Sequence, residues 1–296
     1  MAEAHWHVLG AGAIGCLFAA ALARSGSGVT LVTRGHSGRR RLRIEDSGAT
    51  TEVELPVCGL HDAGQIATLL VTTKAYDVVD AVAAVAPRLA DDANVLLLVN
   101  GMGLAQELRS RHPRLQVYSG TTTQGAYRRD PTHICHAGHG DTLIGRPGQA
   151  EPPPWFGQWV RAVPRCRWES EIEAALWSKL AVNCVINPLT ALHGCRNGEL
   201  ALRAELRAEV EALCREVTQV SYAAGYTQTA QTIGDSVARV IAGTADNRSS
   251  MLQDVSAGRP TEIDYITGYL LRIAEEHGIP AQRNRAIFEE VKAIAH

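Results

Sequence analysis

Six residues near the start of the chain, Gly10-Ala11-Gly12-Ala13-Ile14-Gly15, restrict the possible folds more than any other stretch. They follow a short apolar run, His5 to Leu9, and lead into an alanine-rich segment from Cys16 to Ser25. After a turn at Gly26 to Gly28 comes a second apolar run, Val29 to Thr33. Strand, glycine loop, helix and strand in that order make a parallel unit whose first turn can cradle a dinucleotide. Gly10 allows the tight turn, Gly12 lets the backbone approach a pyrophosphate, and Gly15 lets the helix pack close to the sheet. The helix amino terminus then offers free N–H groups and the positive end of its dipole to the phosphates. The competing reading is a tight strand-to-helix turn without a ligand.

The end of the second strand selects the cofactor. A site for NAD usually places Asp or Glu there to hold the ribose 2′-hydroxyl. Here the chain reads Leu31-Val32-Thr33-Arg34-Gly35, with no carboxylate before Glu45. Arg34 can pair with a 2′-phosphate and stack on adenine, which favours NADP(H). Arg39, Arg40, Arg41 and Arg43 add positive potential, although such a run is more often a solvated face.

Alternation from Leu42 to Val57 about Asp46-Ser47-Gly48 reads as a hairpin inserted in the wound domain. A strand from Thr68 to Thr72 ends at Lys74, an amphipathic helix runs from Val78 to Leu89, and a strand from Val95 to Val99 ends at Asn100-Gly101-Met102-Gly103. Ligands sit at the carboxyl ends of strands in open α/β sheets, so Lys74 and Asn100 are placed to touch the cofactor. Gln116 to Thr121 is a further strand, His133 to Gly145 a short hairpin, and Trp155 to Trp168 the last helix and strand of this half. His133, His136, His139 and Cys135 invite a metal reading. A hairpin puts His133 and Cys135 on one face and His136 on the other, and no second ligand cluster completes a tetrahedral site, so no metal is expected.

From Glu169 onward helical patterns replace strands: Ile172 to Leu192, Glu199 to Ala224, Thr229 to Thr244, Thr261 to His277 and Gln282 to Ile294. The expected architecture is α/β, with a doubly wound dinucleotide-binding domain over 1–170 and an all-α domain over 171–296. On the first of these helices Lys179, Asn183 and Asn187 recur at every fourth residue, each step drifting by only about 40°. The other sides carry Ala175, Leu176, Leu180, Ala181, Val182, Val185 and Ile186. So apolar a helix is mostly buried, and each unsatisfied polar group on it costs roughly 1–3 kcal/mol. The line therefore faces a cavity or a shared network, unless Lys179 snorkels outward.

Composition excludes other classes. The 296 residues are 46% hydrophobic with a net charge of −2, so neither nucleic acid nor an anionic membrane is an expected partner. There is no membrane-length apolar run, and the amino terminus lacks the basic flank and apolar core of a signal peptide. The seven cysteines form no C-x-x-C pair and read as free thiols of the cytoplasm.

Taken together these motifs resemble the ketopantoate reductase (2-dehydropantoate 2-reductase) family along nearly the whole chain. The matching pieces are Gly10 to Gly15, Arg34, Lys74, Asn100-Gly-Met-Gly103, Gly120-Thr-Thr-Thr123, Trp177-Ser-Lys179-Leu-Ala-Val-Asn183, Asn187-Pro-Leu-Thr190, Asn197-Gly-Glu-Leu200, Ser249-Ser250-Met251-Leu-Gln253-Asp254 and Thr261-Glu262-Ile-Asp264. The chain departs at Gln124-Gly125, where the pattern leads one to expect His or another residue beside Ala. The resemblance implies NADPH-dependent reduction of 2-dehydropantoate to pantoate, toward pantothenate and coenzyme A. It implies that Lys179 is the proton donor and Glu262 a second essential polar group that also meets the cofactor. Asn183, Asn187, Asn197 and Ser250 then hold the carboxylate and hydroxyl of a small 2-oxo acid. Asn100 touches both substrate and cofactor, and Gly10, Ala11, Gly12, Ala13, Ile14, Gly15, Arg34, Lys74 and Ala126 contact NADP(H). The glycine loop and Asn100 are expected in the first domain and the other polar residues in the second, with the site in a cleft between them. A homodimer is a mild expectation from the apolar helical half. Two alternatives stay open: a related NADP-dependent enzyme of another 2-oxo or 3-hydroxy acid, and a non-catalytic NADP(H) sensor, which predicts loss of Lys179 or Glu262.

Overall fold

The computed structural model describes residues 3–35 and 37–295. Its elements are β1 (Trp6–Leu9), α1 (Ala13–Arg24), β2 (Val29–Thr33), β3 (Gly38–Asp46), β4 (Ala49–Gly59), β5 (Ile66–Val71), α2 (Val78–Val85), β6 (Leu89–Leu97), α3 (Leu104–Arg111), β7 (Gln116–Thr122), β8 (Gly125–Arg128), β9 (His133–Gly138), β10 (Thr142–Gly145), α4 (Phe156–Ala162) and β11 (Cys166–Trp168). Helices follow: α5 (Ile172–His193), α6 (Glu199–Leu202), α7 (Ala204–Ala223), α8 (Thr227–Gly243), α9 (Ser250–Ser256), α10 (Thr267–Glu276) and α11 (Gln282–Ile294). The chain divides into two compact units. One runs to Val99 and resumes over Leu104–Ile172; the other takes Asn100–Gly103 and everything from Glu173.

In the first unit, 11 strands of the described residues form one sheet in the order β11-β10-β7-β6-β5-β1-β2-β4-β3-β9-β8. The middle is parallel, β1 pairing with β2 on one side and β5 on the other. The order reverses at β1, so its carboxyl end lies at the switch point where such sheets take ligands. Trp6 on β1 meets Trp155 and Trp159 edge-on, at ring separations of 5.2 and 5.5 Å, and α1 buries Cys16, Leu17, Phe18 and Leu22. Each fully buried side chain of that size contributes roughly 1.5–3 kcal/mol, which fixes the glycine loop between two packed elements.

Four expectations change, one of them the helix over Glu199 to Ala224, which an extended Arg203 breaks into α6 and α7. His133 to Gly145 is not a hairpin: β9 pairs with β3 and β8, whereas β10 pairs with β7 and β11. Residues 116–128 and 133–145 are instead the two arms of one long bent hairpin. At the bend Thr123 N–H donates to the Asp141 carbonyl (2.9 Å), and a Cβ on Gly140 would lie 2.4 Å from the Thr123 carbonyl carbon. The helix expected to reach Leu89 stops at Val85 and tightens into a 3-10 turn, Ala86–Arg88, in which Pro87 has no N–H to give. The helix expected over Thr261 to His277 is a 3-10 turn, Ile263–Tyr265, and then α10, so Glu262 lies ahead of the helix. The Asp46-Ser47-Gly48 reversal holds, with Ser47 and Gly48 at φ 50° and 83°, the left-handed pair of a tight hairpin turn.

The second unit is a helical bundle around α5. Trp177, Leu180, Ala181, Cys184, Val185, Ile186 and Leu189 are buried in its core with Leu213, Val217, Ile233 and Leu270. Trp177 stacks on Tyr226 at 4.5 Å and donates to Ser221 Oγ at 2.9 Å. Pro188 sits inside α5 and leaves the Cys184 carbonyl without its helical donor. No described helix is long and apolar enough to cross a membrane.

Candidate active site

The glycine loop has the form that its sequence implies, and each glycine has a separate reason. Gly10 has φ +103°, and a Cβ on it would lie 2.6 Å from Thr73 N. A Cβ on Gly15 would lie 2.2 Å from the Gly10 carbonyl oxygen and 2.3 Å from Thr72 Oγ1. These two are required by packing. Gly12 is different: its Cβ would meet nothing nearer than 4.0 Å, so its bareness leaves open space at the amino terminus of α1. No side chain caps that terminus and no acid stands in its first turn. A pyrophosphate fits such a place, with the backbone of Ala11, Ala13 and Ile14 around it.

Arg34 directly follows β2, and its guanidinium donates to Asp77 Oδ2 at 3.0 Å. Asp77 ends the short 3-10 turn Ala75–Asp77, which Lys74 precedes. Sequence reading missed this carboxylate because it lies 43 residues away from Arg34. Ala126 is partly buried on β8, in register with His136.

The second unit gathers the other group. Lys179 Nζ donates to Asn100 Oδ1 at 3.2 Å, and Asn100 Nδ2 donates to Glu262 Oε2 at 3.0 Å. One amide thus joins an ammonium and a carboxylate that stand on α5 and ahead of the Ile263–Tyr265 turn. Lys179 turns inward instead of snorkelling. Desolvation pulls its pKa down to about 8, against the opposing pull of the Glu262 charge. Glu262 is only 4% exposed.

Asn100 belongs to this unit and not, as expected, to the first. Met102 N–H donates to the Tyr265 carbonyl at 3.1 Å. Gly101 and Gly103, at φ +87° and +94°, let the segment lie against Tyr265 and Tyr269. The remaining expected residues are spread along the helices. Asn183 is partly buried on α5, Asn187 is buried one turn further, and Ser250 is exposed at the start of α9. Ser249, its neighbour, is the structural serine: it caps α9 through Leu252 N–H and accepts from Thr190 Oγ1 at 2.7 Å. Asn197 Nδ2 donates to Thr244 Oγ1 at 2.8 Å, while its buried Oδ1 has no hydrogen-bond partner among the described residues.

The histidine-rich strand β9 keeps the alternation of faces, and the structure brings carboxylates beside it. Pairing with β3 brings Glu45 to His133 and Cys135, and Asp46 to His136 and His139.

A family profile described as "Ketopantoate reductase PanE/ApbA" matches residues 6–149, and one described as "Ketopantoate reductase PanE/ApbA C terminal" matches 171–295. The chain belongs to the ketopantoate reductase family. A 2-dehydropantoate 2-reductase of Shigella flexneri is 41% identical over 291 residues, spanning 96% of this chain and 93% of its own. One from Archaeoglobus fulgidus is 34% identical over 298 residues, spanning 97% and 96%. A solved PanE/ApbA family ketopantoate reductase from Ralstonia eutropha superposes with a TM-score of 0.83 at 27% identity, covering 98% of both chains. Membership in the ketopantoate reductase family bears out the resemblance read from the motifs. It also bears out the fold class, a wound α/β domain followed by helices.

Proposed function

We propose that the protein reduces the ketone of 2-dehydropantoate to the alcohol of pantoate with NADPH, in pantothenate and coenzyme A formation. The observation that carries this reading is the chain Lys179–Asn100–Glu262 in a protein of this family. Gly10 to Gly15 and the α1 terminus hold the pyrophosphate, Arg34 the 2′-phosphate, with Lys74, Ala126, Asn100 and Glu262 as further contacts. Bound there, NADPH supplies the hydride.

The residues of this chain do the rest. As the ketone carbon gains hydride, negative charge grows on its oxygen, and the Lys179 ammonium stabilises it and passes it a proton. A pKa of about 8 leaves Lys179 charged at neutral pH yet readier to release a proton than an ordinary lysine. Asn100 fixes the direction of the ammonium by taking one of its N–H groups, and Glu262 orients Asn100. Solvent restores the proton afterwards. Asn183, Asn187, Asn197 and Ser250 take the carboxylate and hydroxyl of the 2-oxo acid; the unpartnered Asn197 Oδ1 suits a hydroxyl donor. A cytoplasmic location fits seven free thiols, and a homodimer completes the reading.

NADPH oxidation against a panel of 2-oxo acids tests it. The expected result is the highest kcat/KM on 2-dehydropantoate and a clear preference for NADPH over NADH. A better substrate elsewhere in the panel replaces the substrate, equal use of both cofactors removes the role of Arg34, and no turnover on any acid favours a sensor. Sedimentation at assay concentration decides the dimer.

A further inference from the structure

The cluster Asp46, His136 and His139 lies on the first unit, and none of the three was given a role above, although His136 pairs across the sheet with Ala126. His136 Nδ1 is 3.0 Å from Asp46 Oδ2, and His139 Nε2 is 3.0 Å from Asp46 Oδ1. The other nitrogen of His136, Nε2, is 2.6 Å from Gln124 Oε1. Gln124 Nε2 donates to the Gly140 carbonyl at 2.8 Å, which leaves the amide oxygen, a pure acceptor, facing the ring. His136 Nε2 must therefore carry the proton. A neutral imidazole has only one, so its Nδ1 turns a lone pair on a carboxylate oxygen, whereas an imidazolium would donate there as an ion pair. Two acceptors at 3.0 Å repel unless something positive stands between them.

We propose that Asp46, His136 and His139 bind a divalent transition-metal cation such as Zn²⁺. One ligand atom from each residue lies within 4.8 Å of the others, and each histidine nitrogen is 3.0 Å from one of the two Asp46 oxygens. Ligand bonds of about 2.0–2.1 Å at tetrahedral angles put neighbouring ligand atoms about 3.3 Å apart, so small side-chain rotations suffice. Two imidazoles and one carboxylate suit Zn²⁺, Co²⁺ or Ni²⁺ better than Mg²⁺ or Ca²⁺. The bond from His136 Nε2–H to Gln124 is the outer bond that a metal-bound imidazole makes to hold its tautomer. Side-chain exposures of 40% for Asp46 and 57% for His139 give the ion a way in and leave room for water as a further ligand. The neighbouring set Glu45, His133 and Cys135 is the weaker candidate, because Arg129 Nη1 stands 2.7 Å from Glu45 Oε2 and repels a cation. Bound at Asp46, the ion ties the β3–β4 turn to the bend of the long hairpin.

The test uses tag-free protein freed of metal by a chelator, titrated with Co²⁺ while its visible d–d absorption is read, then with Zn²⁺ in competition. The wild type takes up one equivalent and melts at a higher temperature with Zn²⁺. Asp46→Asn and His139→Ala each bind about a hundredfold more weakly, and Gln124→Met about tenfold more weakly, the range for outer-shell losses. Circular dichroism confirms that each variant is folded. No uptake by the wild type, or equal uptake by Asp46→Asn, overturns the proposal. So does a cobalt–thiolate charge-transfer band that disappears in Cys135→Ser, since that places the ion on the Glu45 set.

Discussion

The glycine loop and the Lys179–Asn100–Glu262 chain are built on opposite principles. The first is contiguous, made of backbone, and works by leaving space: Gly12 has nothing within 4.0 Å of where a Cβ would stand. The second is made of side chains that are 79 and 162 residues apart along the chain, and works by filling space with charge. A place defined by missing atoms tolerates only the smallest residues. One defined by three polar groups depends on each partner for the behaviour of the others.

The sharpest way to separate them is Lys179→Ala. Turnover should fall by about 10²–10⁴-fold, the usual reach of a positioned acid, while NADPH titrated by fluorescence still binds. Parallel loss of binding would mean that the two regions are not independent. The same lysine carries a stability prediction. Its folded pKa lies below the ordinary 10.5, so the charged form is held at a cost that is present below about pH 8 and vanishes as pH rises toward 10.5. The melting temperature of the wild type should therefore rise relative to that of Lys179→Met as the pH of the melt is raised through that window.

Gly15→Val attacks the other region. The new Cβ lies 2.2 Å from the Gly10 carbonyl oxygen, so the loop must move; overpacking of this kind costs about 1–3 kcal/mol. NADPH affinity should drop by about tenfold or more, ~1.4 kcal/mol. Calorimetry that finds it unchanged would show that the loop does not hold the phosphates.

Glu262→Gln sharpens the comparison from inside the polar chain. The Glu262 charge raises the pKa of Lys179, so its removal lets desolvation pull the lysine below about 8. The alkaline limb of kcat/KM for reduction should move to lower pH, with NADPH affinity the smaller change. A limb that stays in place would show that Lys179 does not set it.

The smallest effect belongs to Asp77→Asn. Asp77 occupies the guanidinium proposed for the 2′-phosphate, and exposed pairs of this kind are worth about 0.2–1 kcal/mol. The KM for NADPH should fall by about two- to fivefold and that for NADH stay put. A shift shared by both cofactors would place Asp77 on the common part of the dinucleotide.

What could be read in advance follows the same division. The glycine loop was legible because turn, helix start and close packing are all set by neighbours in sequence. The line of Lys179, Asn183 and Asn187 was legible because helical period alone puts them on one side. That Asn100 would be the group joining Lys179 to Glu262 had no local signal, nor did the arrival of Asp46 beside His136, 90 residues apart. Strand partners are chosen by the whole sheet, and the histidine strand looked unsupported only because its neighbour was unknown. Glu262 was placed in a helix because its surroundings have helical period; the break at Ile266, with φ −103° and ψ −87°, left no punctuation in the sequence.

The four residues Asn100–Gly103 have a consequence for how this gene can be taken apart. They are encoded amid the wound domain yet pack with the helices, against Tyr265 and Tyr269. A fragment begun at Glu173 retains the ammonium and the carboxylate but discards the amide that spaces them. The helical half is therefore not a cassette. A chimaera that trades it between relatives must take the Asn100 loop from the same parent, carried as a short insert within the other parent's sequence.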